Sequence, residues 1–356
     1  MTSNKGIDSE TALEAKSKAQ WIAFAPFVFQ ATVTIRDCGL LAAIDAGRNE
    51  GADLDELVRK TGIPLYGVRV LLDFALDIGL VVRAGSFYTL GKVGYFVLND
   101  DMTRVNMNFT RDVCYRALES LEESVRNGVP AGLTALGEWK NLYDGLTRLP
   151  EPASDSWFRF DHFYSDRVFD EFLPVVFGSP VTEILDIGGN TGRWAERCLT
   201  YDSRVHVTIM DLPRQVEAAR ENIQAAGYGN RFNGYPLDVL RDSGAYYQGA
   251  DVIWMCQFLD CFSESEILRI LEKVVVVMDA NTVLYIVELF WDRQKYDAAR
   301  FSLNAVSLYF TCIANGKSRM YHSDDMKRLV EQSGLKIIQE RDDIGEGHTV
   351  LCCRRQ

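Results

Sequence analysis

Metal-ligand clusters are missing from this 356-residue chain. Its four histidines are scattered at 162, 206, 322 and 348, and its eight cysteines include no C-x-x-C pair, with Cys352-Cys353 the only neighbours. Zinc ligands come at short spacings, so no metal site is expected, and the thiols read as reduced and structural. Positive charge is short as well. There are 38 Lys and Arg against 50 Asp and Glu, a net charge of −12. A protein that grips nucleic acid needs the opposite balance to neutralise phosphates, so no nucleic-acid partner is expected. No apolar run reaches the ~18 residues of a membrane span. The N-terminus MTSNKGIDSETALEAKSKAQ is polar and has no signal-peptide apolar stretch, which makes a cytoplasmic, membrane-free protein the expectation. The dinucleotide fingerprint G-x-G-x-x-G is also missing.

What remains is ordinary globular material, 47% hydrophobic and 25% charged, long enough for two domains with sizeable cores. Residues 10–47 read as two helices, with Pro26 expected to kink or break the pattern and Gly47 to cap the second. DLDELVRKTGIP is a short helix with an acidic start, stopped by Gly62 and Pro64. Val68, Leu71, Leu72, Ala75 and Leu76 follow a helical period. LVVR and FYTL, joined at Gly85-Ser86, form a β-hairpin. Helices plus a hairpin suggest a winged helix. A DNA-reading role is disfavoured, because the helix over 66–78 carries Asp73 and Asp77 beside Arg69. Residues 100–128 read as one more helix, and Pro150 and Pro152 mark the expected boundary between an N-terminal domain (1–150) and a C-terminal one (151–356).

From 183 onward strands and helices alternate: ILDI, HVTIMD, a short strand at 232–237, DVIWMC and TVLYIVEL, with helices between. This pattern implies an α/β fold, a Rossmann-like parallel sheet covered on both faces. LKIIQE and HTVLCCR add strands at the end, with an antiparallel C-terminal edge strand. Ligands of such sheets sit beyond the carboxyl ends of the strands. The turn there is DIGGNTG. Asp186 precedes Gly188 and Gly189, Gly192 closes the turn, and Asn190 stands where a further glycine is expected. Asn tolerates positive φ, so the turn survives. Asp211 follows about 20 residues later, where a carboxylate takes both hydroxyls of a ribose. Asp238, after the third strand, is placed to receive an adenine amino group. No cation lies in the turn for a pyrophosphate, whereas the zwitterionic methionine end of S-adenosylmethionine needs only amides and carboxylates.

With these motifs in place, nearly the whole chain resembles the S-adenosylmethionine-dependent O-methyltransferases of the plant caffeate and bacterial polyketide-tailoring type. Residues 39–98 resemble that family's winged-helix dimerisation domain, ILDIGGNTG its glycine motif and MDLP (210–213) its ribose-binding strand end. FLDCFSESEILRIL (258–271) resembles the segment that usually reads L-H-D-W-S-D-E, and ANGKSRM (314–320) a Gly-Lys-Glu-Arg turn. The resemblance implies a class I methyltransferase sheet with an N-terminal, mainly helical winged-helix domain, S-adenosyl-L-methionine as cofactor, a homodimer formed through the helical domain, and a small-molecule acceptor. It implies that Asp186, Gly188 and Gly189 line the methionine end, Asp211 and Leu212 the ribose, Asp238 and Val239 the adenine, and Met255 and Cys256 a further side of the cofactor. Cys256 stands in place of a lysine.

The departures fall on the catalytic positions. Asp260 replaces the family's histidine base. Glu288 matches one of the carboxylates that orient it, and Ser318 replaces the other. A free Asp is a weaker base than His by roughly 2.6 pKa units, about 3.5 kcal/mol of driving force. Burial beside Glu288 would recover part of that, because like charges resist joint ionisation. Asp260 and Glu288 are therefore the expected catalytic residues, unless Asp260 only caps the helix starting near Ser263. His162, in the aromatic segment WFRFDHFYSD, is a further candidate base, and Trp157, Phe160, Phe163 and Tyr164 a candidate apolar wall. The expected function is O-methylation of a small aromatic or polyketide-like acceptor. The alternatives are N-methylation, or a protein that binds the same cofactor without methylating.

Overall fold

Thr11 and Glu14 form a reciprocal capping box that starts α1 (Ala12–Asp37). Pro26 lies inside this helix without ending it. The break falls instead at Gly39, whose φ of +78° leads into α2 (Leu40–Asp45). The computed structural model describes residues 9–166 and 168–356. Next come β1 (Ala52–Asp53), α3 (Leu54–Thr61), α4 (Leu65–Asp77), β2 (Val81–Ala84), β3 (Phe87–Leu90) and α5 (Lys92–Asn99). The hairpin expected from sequence pairs in register, and β1 adds to its far side in the antiparallel order β1-β3-β2. Asp53 caps α3 and Gly62 ends it in the left-handed conformation. Leu40, Leu41, Ile44, Leu57, Val68 and Leu72 are fully buried and form this unit's core.

The chain divides into two compact units after Met107, earlier than the sequence boundary at 150. Residues 108–150 belong to the second unit because Phe109, Val113, Leu133, Leu142 and Leu146 share a core with Leu303, Tyr309 and Ile313. The single helix expected over 100–128 is broken into α6 (Asp101–Phe109), a wide turn at Thr110–Cys114, a tight turn at Ala117–Ser120 and α7 (Leu121–Asn127). Tertiary contacts take over the backbone there. The Cys312 thiol donates to the Ala117 carbonyl at 3.2 Å, and the buried Ser124 hydroxyl accepts from Ala131 N–H. Then follow α8 (Leu142–Gly145), α9 (Ala153–Asp166) and α10 (Phe169–Val176).

The sheet of this unit has seven strands. They are β4 (Glu183–Ile187), β5 (His206–Asp211), β6 (Phe232–Pro236), β7 (Val252–Cys256), β8 (Val283–Glu288), β9 (Leu335–Ile344) and β10 (His348–Arg355). The order is β6-β5-β4-β7-β8-β10-β9, parallel from β6 through β8. β10 inserts between β8 and β9 and pairs antiparallel with both, so β10 alone runs against the sheet, and β9 and not the last strand is the edge. The intervening helices are α11 (Arg193–Tyr201), α12 (Pro213–Ala225), α13 (Glu264–Val277), α14 (Asp297–Tyr309) and α15 (Ser323–Gln332). On one face α10, α11 and α12 bury Phe172, Trp194 and Val216 against Trp254; on the other α13 and α15 bury Ile267, Ile270 and Met326 against Met255 and Ile286. Trp194 and Trp254 stack at 4.3 Å, a contact worth about 1 kcal/mol beyond area burial. Strand order reverses between β4 and β7, which opens the crevice at their carboxyl ends.

Candidate functional site

The glycine turn leaves β4 into that crevice. Gly188 has φ +80°, Asn190 +48° and Gly192 +85°, so the asparagine does adopt the left-handed conformation its position demands. Gly188 N–H donates to the Met210 carbonyl at 3.0 Å, tying the turn to β5. A Cβ on Gly188 would stand 2.2 Å from the Phe258 ring, and one on Gly189 2.5 Å from Asp186 Oδ2. Only bare backbone fits at either place.

The carboxylates expected from sequence converge here. Asp186 is buried, and its Oδ2 has no partner. Burial first, then the charge of Asp211, pushes its carboxyl well above the usual range. Asp211 closes β5. It accepts Asn190 N–H at 2.9 Å on Oδ2 and Leu212 N–H at 2.7 Å on Oδ1. Burial raises it to about 6 against those two amides. Lone pairs on both oxygens remain for a diol, which a carboxylate can accept from directly.

Glu288 ends β8. Its Oε1 accepts Phe258 N–H at 3.1 Å and Leu259 N–H at 2.8 Å, while Oε2 is buried without a partner. Burial, then the Asp260 charge, drives its carboxyl well up. Asp260 sits in the tight turn Leu259–Cys261 and is 7% exposed. Burial lifts it to about 7; the Cys261 thiol, donating at 3.5 Å, opposes this and the charge of Asp161 adds to it. It does not cap α13. Ser263 does that, in a capping box with Glu266. Cys256 lies at the end of β7, where burial and then Glu288, Asp186, Asp260 and Asp161 all push its thiol upward.

Other expected positions lie differently. The Asp238 carboxylate is engaged in its own turn, accepting Leu240 and Arg241 N–H at 3.0 and 3.1 Å, with Arg241 Nε 3.6 Å away. Val239 is buried beside it, and its carbonyl accepts Lys273 Nζ at 3.1 Å. Met255 is fully buried in the core on the α13 side. Ser318, in place of a carboxylate, is held by Asn315 Nδ2 at 2.9 Å. His162 lies 3.6 Å from Asp166 and packs on Phe158. His322 caps α15. His348 is fully buried against Phe172, and burial lowers it to about 4.

Sequence reasoning passed over several groups of the site. Asp161 on α9 accepts the Asn190 amide at 3.2 Å and is raised to about 6, chiefly by burial. Phe258 lies on the glycine turn. An aromatic wall joins Phe109 and Phe160, stacked at 4.0 Å, with Tyr309 at 5.0 Å from Phe109. Trp157 Nε1–H donates to Tyr309 Oη at 2.7 Å. The Tyr143 hydroxyl meets the Cys261 thiol and is pushed well up, first by burial. Tyr309 and Tyr143 lie in stretches without a strong period, but the WFRFDHFYSD run did signal Trp157 and Phe160.

The pieces suit a sulfonium nucleoside. Bare glycine backbone leaves room for an amino-acid tail, two acceptor oxygens of Asp211 meet a diol, and the unpartnered oxygens Asp186 Oδ2 and Glu288 Oε2 are left for polar groups of a ligand. Comparison with known proteins agrees. A Dimerisation2-like domain model matches residues 16–87, and an O-methyltransferase domain model residues 166–336. The chain is 26% identical to a 3-hydroxy-5-methyl-1-naphthoate 3-O-methyltransferase of Streptomyces sahachiroi, over 75% of this chain and 76% of that one. It is 26% identical to the acetylserotonin O-methyltransferase of Gallus gallus, over 81% and 83%. The crystal structure of the S-adenosylmethionine-dependent methyltransferase SibL shares the fold, with TM-score 0.73 and 21% identity over 95% of this chain and 99% of that one. With its glycine turn, its strand-end carboxylates and both domain matches, the chain belongs to the S-adenosylmethionine-dependent O-methyltransferase family.

Proposed function

We propose that the protein methylates a hydroxyl of a small aromatic or polyketide-like acceptor, with the Asp260–Glu288 pair receiving the hydroxyl proton. The observation that carries this reading is the buried pair itself: Asp260 raised to about 7 beside a Glu288 with one free oxygen. A base poised near neutrality is what proton removal from a phenol needs, and its removal costs about 10²–10⁴ in rate. Asp186, Gly188, Gly189, Asp211 and Leu212 would hold the cofactor, with Cys256 bordering it and Asp238, Val239 and Met255 behind the adenine end. Bound there, S-adenosylmethionine supplies a methyl group on a positively charged sulfur. The chain's own residues do the rest. The glycine turn orients the tail, Asp211 the sugar, and the wall of Phe109, Phe160 and Tyr309 lines an apolar space for a flat ring and excludes water. The named substrates of the relatives, a hydroxynaphthoate and acetylserotonin, are aromatic rings of this kind.

The N-terminal unit supports a homodimer as the working form. Trp21, Ile22, Phe24 and Phe27 of α1 are each more than half exposed, and a cluster of that size calls for a partner surface. A cytoplasmic location fits the charge and the thiols; among the described residues no helix is long and apolar enough to cross a membrane. Incubation with methyl-labelled cofactor and a panel of hydroxyaromatics and amines tests the proposal. Label transfer to a hydroxyl, lost in Asp260→Asn while calorimetric cofactor affinity stays within about twofold, is the expected result. Cofactor binding without transfer to any acceptor would favour the non-methylating alternative.

A further inference from the structure

Where the resembling segment reads His-Asp, this chain reads Asp260-Cys261. The residue beside the base is therefore a thiol and not a second carboxylate. A carboxylate in the place of a ring has two equivalent oxygens and turns freely, so it needs a neighbour that fixes one of them. Cys261 is placed to do this. Its Sγ–H donates to Asp260 Oδ1 at 3.5 Å, a length set by the radius of sulfur.

The turn that carries both residues is clamped from several sides. Glu288 Oε1 accepts the Phe258 and Leu259 N–H groups, Asn315 Nδ2 donates to the Cys261 carbonyl at 2.8 Å, and the Tyr321 hydroxyl donates to the Phe262 carbonyl at 2.6 Å. The Cys261 thiol is met in turn by the Tyr143 hydroxyl, and both side chains pack on the core that contains Phe109 and Leu142. Tyr143 stands on α8, a single helical turn that is itself tied down. Asn141 caps it, accepting Asp144 N–H at 2.9 Å, and the Trp139 ring lies so close that a Cβ on Gly145 would stand 2.0 Å from it. Arg214, three residues after Asp211, donates to Thr147 Oγ1 at 2.7 Å, and Arg241 reaches Asp144 at 3.4 Å. Burial, before any other influence, keeps the proton on both Tyr143 and Cys261. Each therefore has a hydrogen to give, and donors lined up toward one carboxylate polarise each other.

On the reading of Asp260 as the base, we propose that Cys261 and Tyr143 are its positioning residues: the row from Tyr143 O–H through Cys261 S–H to Asp260 Oδ1 fixes the carboxylate and leaves its other oxygen to receive the acceptor's proton. The thiol's donation also favours the ionised carboxylate, against burial and the charges of Asp161 on α9 and Glu288 on β8. The Cys256 thiol at the end of β7 and the Tyr321 hydroxyl ahead of α15 sense the Asp260 charge as well.

Infrared spectroscopy reads the hydrogen bond without any acceptor. The S–H stretching band of Cys261 is isolated by subtracting the spectrum of Cys261→Ala from that of the unaltered full-length protein. It should move to lower frequency as Asp260 ionises, over a range centred on about pH 7, and should not titrate in Asp260→Asn. Tyr143→Phe, which removes one hydroxyl, should move the band at fixed pH. A band that ignores pH in the unaltered protein, or titrates alike in Asp260→Asn, overturns the proposal; one that ignores Tyr143→Phe removes Tyr143 from it. Methyl transfer to the hydroxyaromatic panel gives a second readout. Loss of the thiol raises the proton affinity of Asp260, so the acid limb of kcat/KM should move up by about one pH unit in Cys261→Ala, and Cys261→Ser, which keeps a donor, should restore most of it. Tyr143→Phe should move the limb the same way by less, and add nothing in the Cys261→Ala background. An unmoved limb in Cys261→Ala overturns the proposal, and a full Tyr143→Phe effect in that background places Tyr143 on the acceptor instead. No transfer from the unaltered protein to any acceptor would sink the methyltransferase reading, and the infrared result would still decide this one.

Discussion

Asp260→Asn should make the protein more stable and less active, and the gain should depend on pH. The Asp260 carboxyl titrates at about 7 in the folded chain against 3.8 for the free side chain. Between those values the native state keeps a proton that the unfolded chain has released. Stability from this group is therefore whole at low pH and is lost as pH rises from 3.8 toward 7. That interval corresponds to roughly 4 kcal/mol, a sizeable share of a typical domain's stability of about 5–15 kcal/mol. Asparagine has nearly the same shape and no charge to lose. In urea denaturation without cofactor, the variant should match the unaltered protein near pH 4 and exceed it by a few kcal/mol at pH 8. A stability difference that stays flat between pH 4 and 8 would refute the reasoning, because a buried ionising carboxylate cannot leave that slope unmarked. The same variant should lose about 10²-fold or more in turnover on a phenolic acceptor.

Four further outcomes follow from the structure. Asp211→Asn should weaken S-adenosylmethionine binding by about tenfold or more in calorimetry, since an amide offers one acceptor oxygen where the diol meets two. Gly188→Ala should also weaken it and lower thermal stability by about 1–3 kcal/mol, because alanine at φ +80° is strained and its Cβ meets the Phe258 ring. His348 titrates in the opposite sense to Asp260: its folded value of about 4 lies below the free 6.5, so about 3 kcal/mol present above pH 6.5 is lost as pH falls toward 4, and His348→Phe should flatten this acid limb in pH-dependent denaturation. Phe27→Glu on α1 should shift the particle toward monomer in light scattering, and an unchanged mass would remove that helix from the dimer interface.

Much of the site was legible because its signals are local. The glycines and Asn190 must take left-handed backbone, Asp211 must end a strand, and those demands are met within a few neighbouring residues. The alternation of strands and helices carried the sheet for the same reason. Hidden from such reading were the residues whose role depends on distant neighbours. Asp161 stands 29 positions from the Asn190 that holds it. Trp157 meets Tyr309 across 152 positions, and Cys312 takes the Ala117 carbonyl across 195, which breaks a helix that its own apolar period would continue. Pro150 marked a turn and not a change of core, because a hydrophobic pattern tells that a face is buried without telling against what.

The amino-acid order by itself determined the backbone of the glycine turn, the strand ends that carry Asp186, Asp211 and Glu288, and the kind of nucleoside they suit. Only the tertiary structure decided that Asp260, Glu288, Asp161 and Cys256 share one buried space. That convergence follows from β7 lying between β4 and β8, which joins segments far apart in the chain. It also follows from how deeply each carboxyl is covered. Conformation is a local property of a few residues, whereas burial, and with it the proton affinity of each carboxyl, belongs to everything packed around them.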